Sequence, residues 1–353
     1  MLKEPSAPAT VAVVVPLSGS LGLCGPSALN CARLAGREIN ARDGLLGRPV
    51  ELLVVDGGRE PAAVGAEVGA LARAGVVDAV VGMHTSDARV AVTRVLRGRI
   101  PYVYTPPYEG GERSTGLFLA GETPEHQLAP VLGWLGEHRR VRSWYLVGND
   151  YVWPRRTHRA ARAYARAAGQ VVLGESYVPL GTDDFERVIG RVSASRADAV
   201  LMSLVGSDLV AFNRQLRERG LGERLVRLSA SLEENGLLGM DGDDSGNLFA
   251  AMGYFGSLVS EDSLGFVERY VTAFGPEAPV LNAHGQSTYE GMLLLESLAR
   301  AGGTLDVRAL EATRTPVSVI GARGPRRLVG RHLTQPVYLA RADGLDFEVL
   351  GSF

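Results

Sequence analysis

Ala79-Val80-Val81-Gly82-Met83-His84-Thr85-Ser86 carries a short β-branched run into a hydroxyl-bearing turn, and the segment from about Ser86 to Gly98 has the period of a helix. Tyr102-Val103-Tyr104 follows as a second short strand. Strand, helix and strand at this spacing form a βαβ unit, whose two strands must run parallel. The same rhythm extends upstream through strands at Val11–Val15 and Val50–Asp56, with helices at Ser27–Ala41 and Glu60–Ala74. Leu117–Gly121 closes this first set.

The pattern restarts near Pro124. Helices are expected over Pro124–His138, Pro154–Gly169, Asp184–Ser195 and about Asp208–Gly220. Strands are expected at Trp144–Gly148, Val171–Val178, Ala199–Val205, Leu225–Ser229 and Phe249–Tyr254. Ser260–Phe274 and Asn282–Ala301 read as long helices, and Gln335–Arg341 with Phe347–Leu350 as a hairpin around Ala342-Asp343-Gly344. No Pro/Ser-rich linker separates the two sets, so short crossovers join two α/β units with a cleft between them.

Composition narrows the function. Of 353 residues, 46% are apolar and 22% charged, with a formal net charge of −2, which is a globular chain with no basic excess to draw nucleic acid or anionic lipid. Lys3 is the only lysine. That excludes a P-loop, a pyridoxal Schiff base and lysine-activated nucleophiles, each of which needs an amine in the fold. No serine stands in Gly-x-Ser-x-Gly, and the six histidines never form His-Glu-x-x-His. Neither a metal nor a cofactor is expected. Cys24 and Cys31 read as small reduced hydrophobes, although spacing alone leaves a bridge open. Met1–Thr10 holds Lys3, Glu4 and Pro5 and no apolar stretch long enough for a signal or a span. The expected location is therefore cytoplasmic; a signal removed ahead of Met1 would make it extracytoplasmic.

In open α/β sheets, ligands collect beyond the carboxyl ends of the strands, and three such ends are unusually aromatic or hydroxylic. His84 and Ser86 follow the Ala79–Gly82 strand, where Ser86 reads either as a helix cap or as a donor to a ligand carbonyl. Tyr104-Thr105-Pro106-Pro107-Tyr108 stiffens a turn rich in tyrosine. Gly148-Asn149-Asp150-Tyr151-Val152-Trp153-Pro154-Arg155 leads into a helix. Val205, and Glu233 of the Glu233-Glu234 pair, also follow strand ends. The pairs Asp183-Asp184 and Asp243-Asp244 read as caps and solvated turns.

Tyr104 to Gly110, Gly148 to Arg155, Tyr177 to Phe185, Ala197 to Val200 with Val205-Gly206, and His332 to Val337 resemble, in this order, a known group. It comprises the amide-sensing regulators of the aliphatic amidase operon and the urea and short-chain amide substrate-binding proteins related to them. The resemblance implies an α/β, two-lobed, periplasmic-binding-protein-like (type I) fold, each lobe a mostly parallel sheet flanked by helices. Three hinge crossovers are implied near Gly121–Pro124, Met252–Phe255 and Leu328–Leu333. The implied lobes are 1–121 plus 255–328, and 124–251 plus 331–353. The implied function is non-enzymatic binding of a small neutral amide or urea-like ligand by His84, Ser86, Tyr104, Thr105, Tyr151 and Trp153, to which Pro106, Val205 and Glu233 are added as candidates from their places after strand ends. An RNA-binding antiterminator protein is the implied partner, with no direct nucleic-acid contact and no membrane insertion; a homodimer stays open. The alternative is the substrate-binding subunit of an ABC transporter for urea, short-chain amides or branched-chain amino acids. Three departures bear on the ligand, one being Tyr104-Thr105-Pro106-Pro107-Tyr108 where the sensors have Tyr-Pro-Thr-Pro-Tyr. His84 stands where the sensors have tyrosine, and Trp153 replaces another tyrosine, so both pocket volume and hydrogen-bond polarity differ.

Overall fold

The structure is a computed structural model that describes residues 7–353; Lys3, Glu4 and Pro5 of the leader lie outside the described residues. The chain divides into two compact units. The first holds the residues up to Pro106, then 111–121 and 259–335. The second holds 107–110, 122–258 and 336–353.

Unit 1 begins with β1 (Ala9–Val15), α1 (Gly25–Ala41), β2 (Val50–Asp56), α2 (Pro61–Arg73), β3 (Ala79–Gly82), α3 (Ser86–Leu96), β4 (Tyr102–Tyr104) and β5 (Leu117–Leu119). Unit 2 follows with α4 (Pro124–Gln127), α5 (Ala129–His138), β6 (Ser143–Asn149), α6 (Val152–Ala167), β7 (Val171–Val178), α7 (Glu186–Ser195), β8 (Ala199–Ser203), α8 (Gly206–Glu218), β9 (Val226–Ser229), α9 (Glu234–Gly239) and β10 (Leu248–Met252). The chain then returns to unit 1 with α10 (Glu261–Phe274), α11 (Ala283–Gly302), α12 (Val307–Ala312), β11 (Ser318–Gly321), β12 (Gly324–Val329) and β13 (His332–Leu333). It ends in unit 2 with β14 (Tyr338–Asp343) and β15 (Asp346–Ser352).

The first sheet has the order β11-β12-β13-β5-β4-β3-β1-β2 and the second β15-β14-β10-β9-β8-β6-β7. From β2 across to β5, and from β7 across to β10, every pairing is parallel. Burial explains the valine-rich strands. Residues 11–15 of β1 are wholly buried, as a strand covered by helices on both faces requires. Each sheet also reverses direction of growth once, between β1 and β3 and between β6 and β8, and at such switch points neighbouring loops part to leave a crevice.

Three sequence expectations need correction. The helix expected over Pro124–His138 is two helices, because Pro130 in the first turn of α5 has no N–H to continue the ladder. The third crossover falls at Gln335/Pro336 rather than in Leu328–Leu333, since His332 pairs with Leu119 and keeps β13 in the first sheet. The second falls at Leu258/Val259, a few residues past Met252–Phe255. Cys24 and Cys31 are buried and form no disulfide.

Candidate functional site

In unit 1 the residues singled out after β3 and β4 form one buried hydrogen-bonded cluster. The Nδ1 of His84 lies 3.1 Å from the Thr85 carbonyl oxygen, so Nδ1 carries the proton and Nε2 accepts from the Tyr102 hydroxyl at 2.9 Å. Burial, partly opposed by the Thr85 bond, pulls His84 down to about 4, which keeps the imidazole neutral. Tyr104 donates its hydroxyl proton to the His84 carbonyl at 2.7 Å. Ser86 Oγ lies 3.4 Å from Tyr104 Oη and, since the tyrosine proton is already engaged, the serine is the donor in that long contact. Thr105 donates to the Gly82 carbonyl at 3.3 Å, which ties the β4 turn to the end of β3. Pro106 follows directly and is buried.

Ser86 is not the helix cap. The N-cap of α3 is Thr85, in extended geometry and without a side-chain capping bond, and Ser86 is the first helical residue. Its hydroxyl therefore stands at a helix start that Thr85 does not cap, where Asp87 Oδ1 accepts from the Ala88 N–H at 2.9 Å, and the earlier first-turn N–H groups suit a carbonyl or carboxylate oxygen. Beneath it, buried Arg89 sits 5.4 Å from the Tyr104 ring centre and is neutralised by Glu112. Although burial opposes it, hydrogen bonds from Ser114 and the Arg89 charge hold Glu112 down to about 2. Sequence reasoning missed Tyr102, Arg89 and Glu112. Glu112 lies 23 residues from Arg89, and no local pattern joins them.

In unit 2 Tyr151 and Trp153 flank the start of α6 with ring centres 6.4 Å apart. The organiser here is Asn149, which the sequence quoted without a role. Its Oδ1 accepts from the Val205 N–H at 3.1 Å, and its Nδ2 donates to Asp208 at 2.7 Å and to the Pro179 carbonyl at 3.3 Å. One amide thus ties together the ends of β6, β7 and β8, and it commits the Val205 N–H to structure. Glu233 is engaged in its own helix: its carboxylate accepts from Asn235 N–H at 2.8 Å and Gly236 N–H at 3.0 Å as the N-cap of α9. Next to it, burial and the Glu233 charge push Glu234 up to about 8. No cluster of metal-ligating side chains occurs among the described residues, and no described helix is long and apolar enough to cross a membrane.

Comparisons with known proteins agree with this layout. The profile of a family described as periplasmic binding protein matches residues 8–346. Leu/Ile/Val-binding protein homolog 6 from Brucella melitensis and from Brucella abortus are each 29% identical over 191 residues, 51% of this chain and 48% of theirs. The chain thus spans about half the length of the curated relatives it matches. Among solved structures, an ABC transporter substrate-binding protein from Sphaerobacter thermophilus superposes with a TM-score of 0.81 at 23% identity, covering 98% of both chains. A solute-binding protein from Rhodopseudomonas palustris HaA2 in complex with p-hydroxybenzoic acid gives 0.85 at 20% identity over 98% of this chain and 96% of that one. These likenesses show the two-lobed α/β fold. The expectation of a cytoplasmic protein is overturned, because the matching family is periplasmic.

Proposed function

This chain belongs to the periplasmic binding protein family, and from that premise we propose that it is the extracytoplasmic substrate-binding component of an ABC transporter, binding a small organic acid or amide without turning it over. The transporter alternative thereby displaces the cytoplasmic amide sensor with its antiterminator partner. Curated relatives named for leucine, isoleucine and valine, and a structural neighbour holding p-hydroxybenzoic acid, support small carboxylate-bearing solutes as the class.

The observation that carries the reading is the Ser86 hydroxyl at the start of α3 that Thr85 does not cap, with Tyr104 and Thr105 fixing its surroundings. A carboxylate or a carboxamide oxygen would accept from Ser86 and from the helix N–H groups, and neutral His84 with the paired Arg89 leaves no net charge to demand a full anion. We place the head group there. Short-chain amides and urea remain within this chemistry.

A thermal-shift panel of isoleucine, benzoate, 4-hydroxybenzoate, propionamide and urea tests it. A ligand at 100 times its Kd stabilises the folded state by about 2.7 kcal/mol. No shift with any member, on folded protein, would remove this class of ligand.

A further inference from the structure

Unit 2 carries a cavity of about 360 Å³ at the amino ends of β8 and β9, the opposite end of the second sheet from Asn149 and Val205. Val192 and Ser193 of α7, its C-cap Arg196, and Leu221, Arg224 and Leu225 of the turn between α8 and β9 line it. Sheet register brings these stretches together. Ala199 pairs with Val226, and the Val226 N–H donates to the Asp198 carbonyl at 3.1 Å, so the segments carrying Arg196 and Arg224 enter the sheet side by side. Neighbouring strands lie about 4.8 Å apart, close enough for two guanidinium side chains to reach one small group.

Both arginines are exposed and, among the described residues, neither guanidinium forms an ion pair or a hydrogen bond. No carboxylate lines the cavity. Of the acids next to it in the chain, Asp198 already accepts from the Arg142 N–H at 2.9 Å and from the Ser143 N–H and hydroxyl at 2.8 Å each, and Glu223 is not part of the lining. Arg214 and Arg219 at the end of α8 show the contrast, paired with Asp241 and Glu186. The carbonyl end of α7 accommodates one cation, but it does not account for Arg224. Beneath the two charges, Val192 and Leu225 form a buried apolar floor. A carboxylate would neutralise one guanidinium and leave the other. A phosphate monoester brings nearly two negative charges and three acceptor oxygens, enough for both arginines and the Ser193 hydroxyl, while its carbon body lies on the apolar floor. We propose that this cavity is a second ligand site, separate from the solute site in unit 1, and that it binds a small phosphate monoester.

Titration calorimetry with n-butyl phosphate and inorganic phosphate tests the site, in about 0.15 M salt so that unspecific attraction between exposed charges is screened. Butyl phosphate should bind the full chain, and more tightly than inorganic phosphate because its carbons cover the apolar floor. Arg196 holds φ at 55°, where glycine is at ease, so Arg196→Gly deletes the guanidinium and keeps the fold. Arg224→Gln keeps a polar stem without the charge. Each variant should weaken butyl phosphate about 10- to 150-fold, the worth of hydrogen bonds to a charged group, while melting as wild type does. Either variant keeping wild-type affinity would overturn the site, as would no binding by wild type or equal affinity for the two phosphates. The solute site in unit 1 plays no part in these titrations, so their failure leaves the proposed function standing.

Discussion

Ser86 holds its hydroxyl proton against Tyr104 at 3.4 Å, a contact weak enough to give up to a better acceptor. Ser86→Ala should lower ligand affinity about 5- to 150-fold, or about 1–3 kcal/mol, while the melting temperature stays put, since Tyr104 keeps its bond to the His84 carbonyl. Calorimetry on the folded variant decides, and wild-type affinity would move the head group elsewhere. The buried titratable groups make a second prediction. Burial pulls His84, His158 and His284 each down to about 4, so the unfolded chain takes up protons that the folded one refuses. Their contribution is complete above about pH 6.5 and drains away as the pH falls towards 4, by at most about 3 kcal/mol per histidine. Glu234 works in the opposite direction. Raised to about 8, it keeps its proton in the fold, and stability is lost as pH rises from 4.5 through 8. Urea midpoints between pH 6.5 and 8 should therefore decline in wild type and stay level in Glu234→Gln; an equally steep decline in the variant would clear Glu234 of the effect. His84, Ser86 and Tyr104 were legible because they sit at strand ends. Tyr102 was not, because what makes it part of the site is a bond to an imidazole 18 residues earlier.

Helix α11 packs on β3 and β4 through a glycine. A Cβ on Gly291 would stand 2.4 Å from Thr105 Cγ2 and 3.3 Å from Val81, so Gly291→Ala must push the helix off the sheet or Thr105 out of its bond to Gly82. The expected cost is about 1–3 kcal/mol of stability together with weaker ligand binding. Gly190→Ala, at an exposed position of α7 with nothing within 4 Å of the new methyl, should instead raise stability by roughly 0.5–1 kcal/mol and leave binding alone. Paired melting curves separate the two, and equal shifts would refute the packing argument. Elements that obey one period over many residues were readable: β2, β3, β4 and β7 fall on the expected residues. Those that were missed are short. β11 has four residues, β13 two, and α9 six, too few for a period to show.

At the scale of the whole molecule, neither unit is a continuous stretch of chain. β14 and β15 complete the second sheet on β10, burying Leu339, Ala340 and Phe347, with Phe347 4.9 Å from the Phe255 ring. Removing 336–353 strips that cover; with roughly 1.5–3 kcal/mol for each large buried side chain, unit 2 should lose much of the 5–15 kcal/mol that holds a domain together. All three tryptophans, Trp134, Trp144 and Trp153, lie in unit 2, so their emission should red-shift at lower urea in the shortened chain; an unchanged midpoint would show the hairpin to be dispensable. The alternation of strand and helix announced two such units, whereas the return of β13 to the first sheet rests on the single pairing of His332 with Leu119, which no local pattern encodes. The broken threading also sets a clock. Unit 1 waits for 259–335 and unit 2 for 336–353, so at about 5–20 residues per second a ribosome needs several seconds after residue 258 before either sheet can be completed. Throughout that interval the nascent polypeptide stays unfinished and threadable, the condition that a secretion channel asks of its passengers.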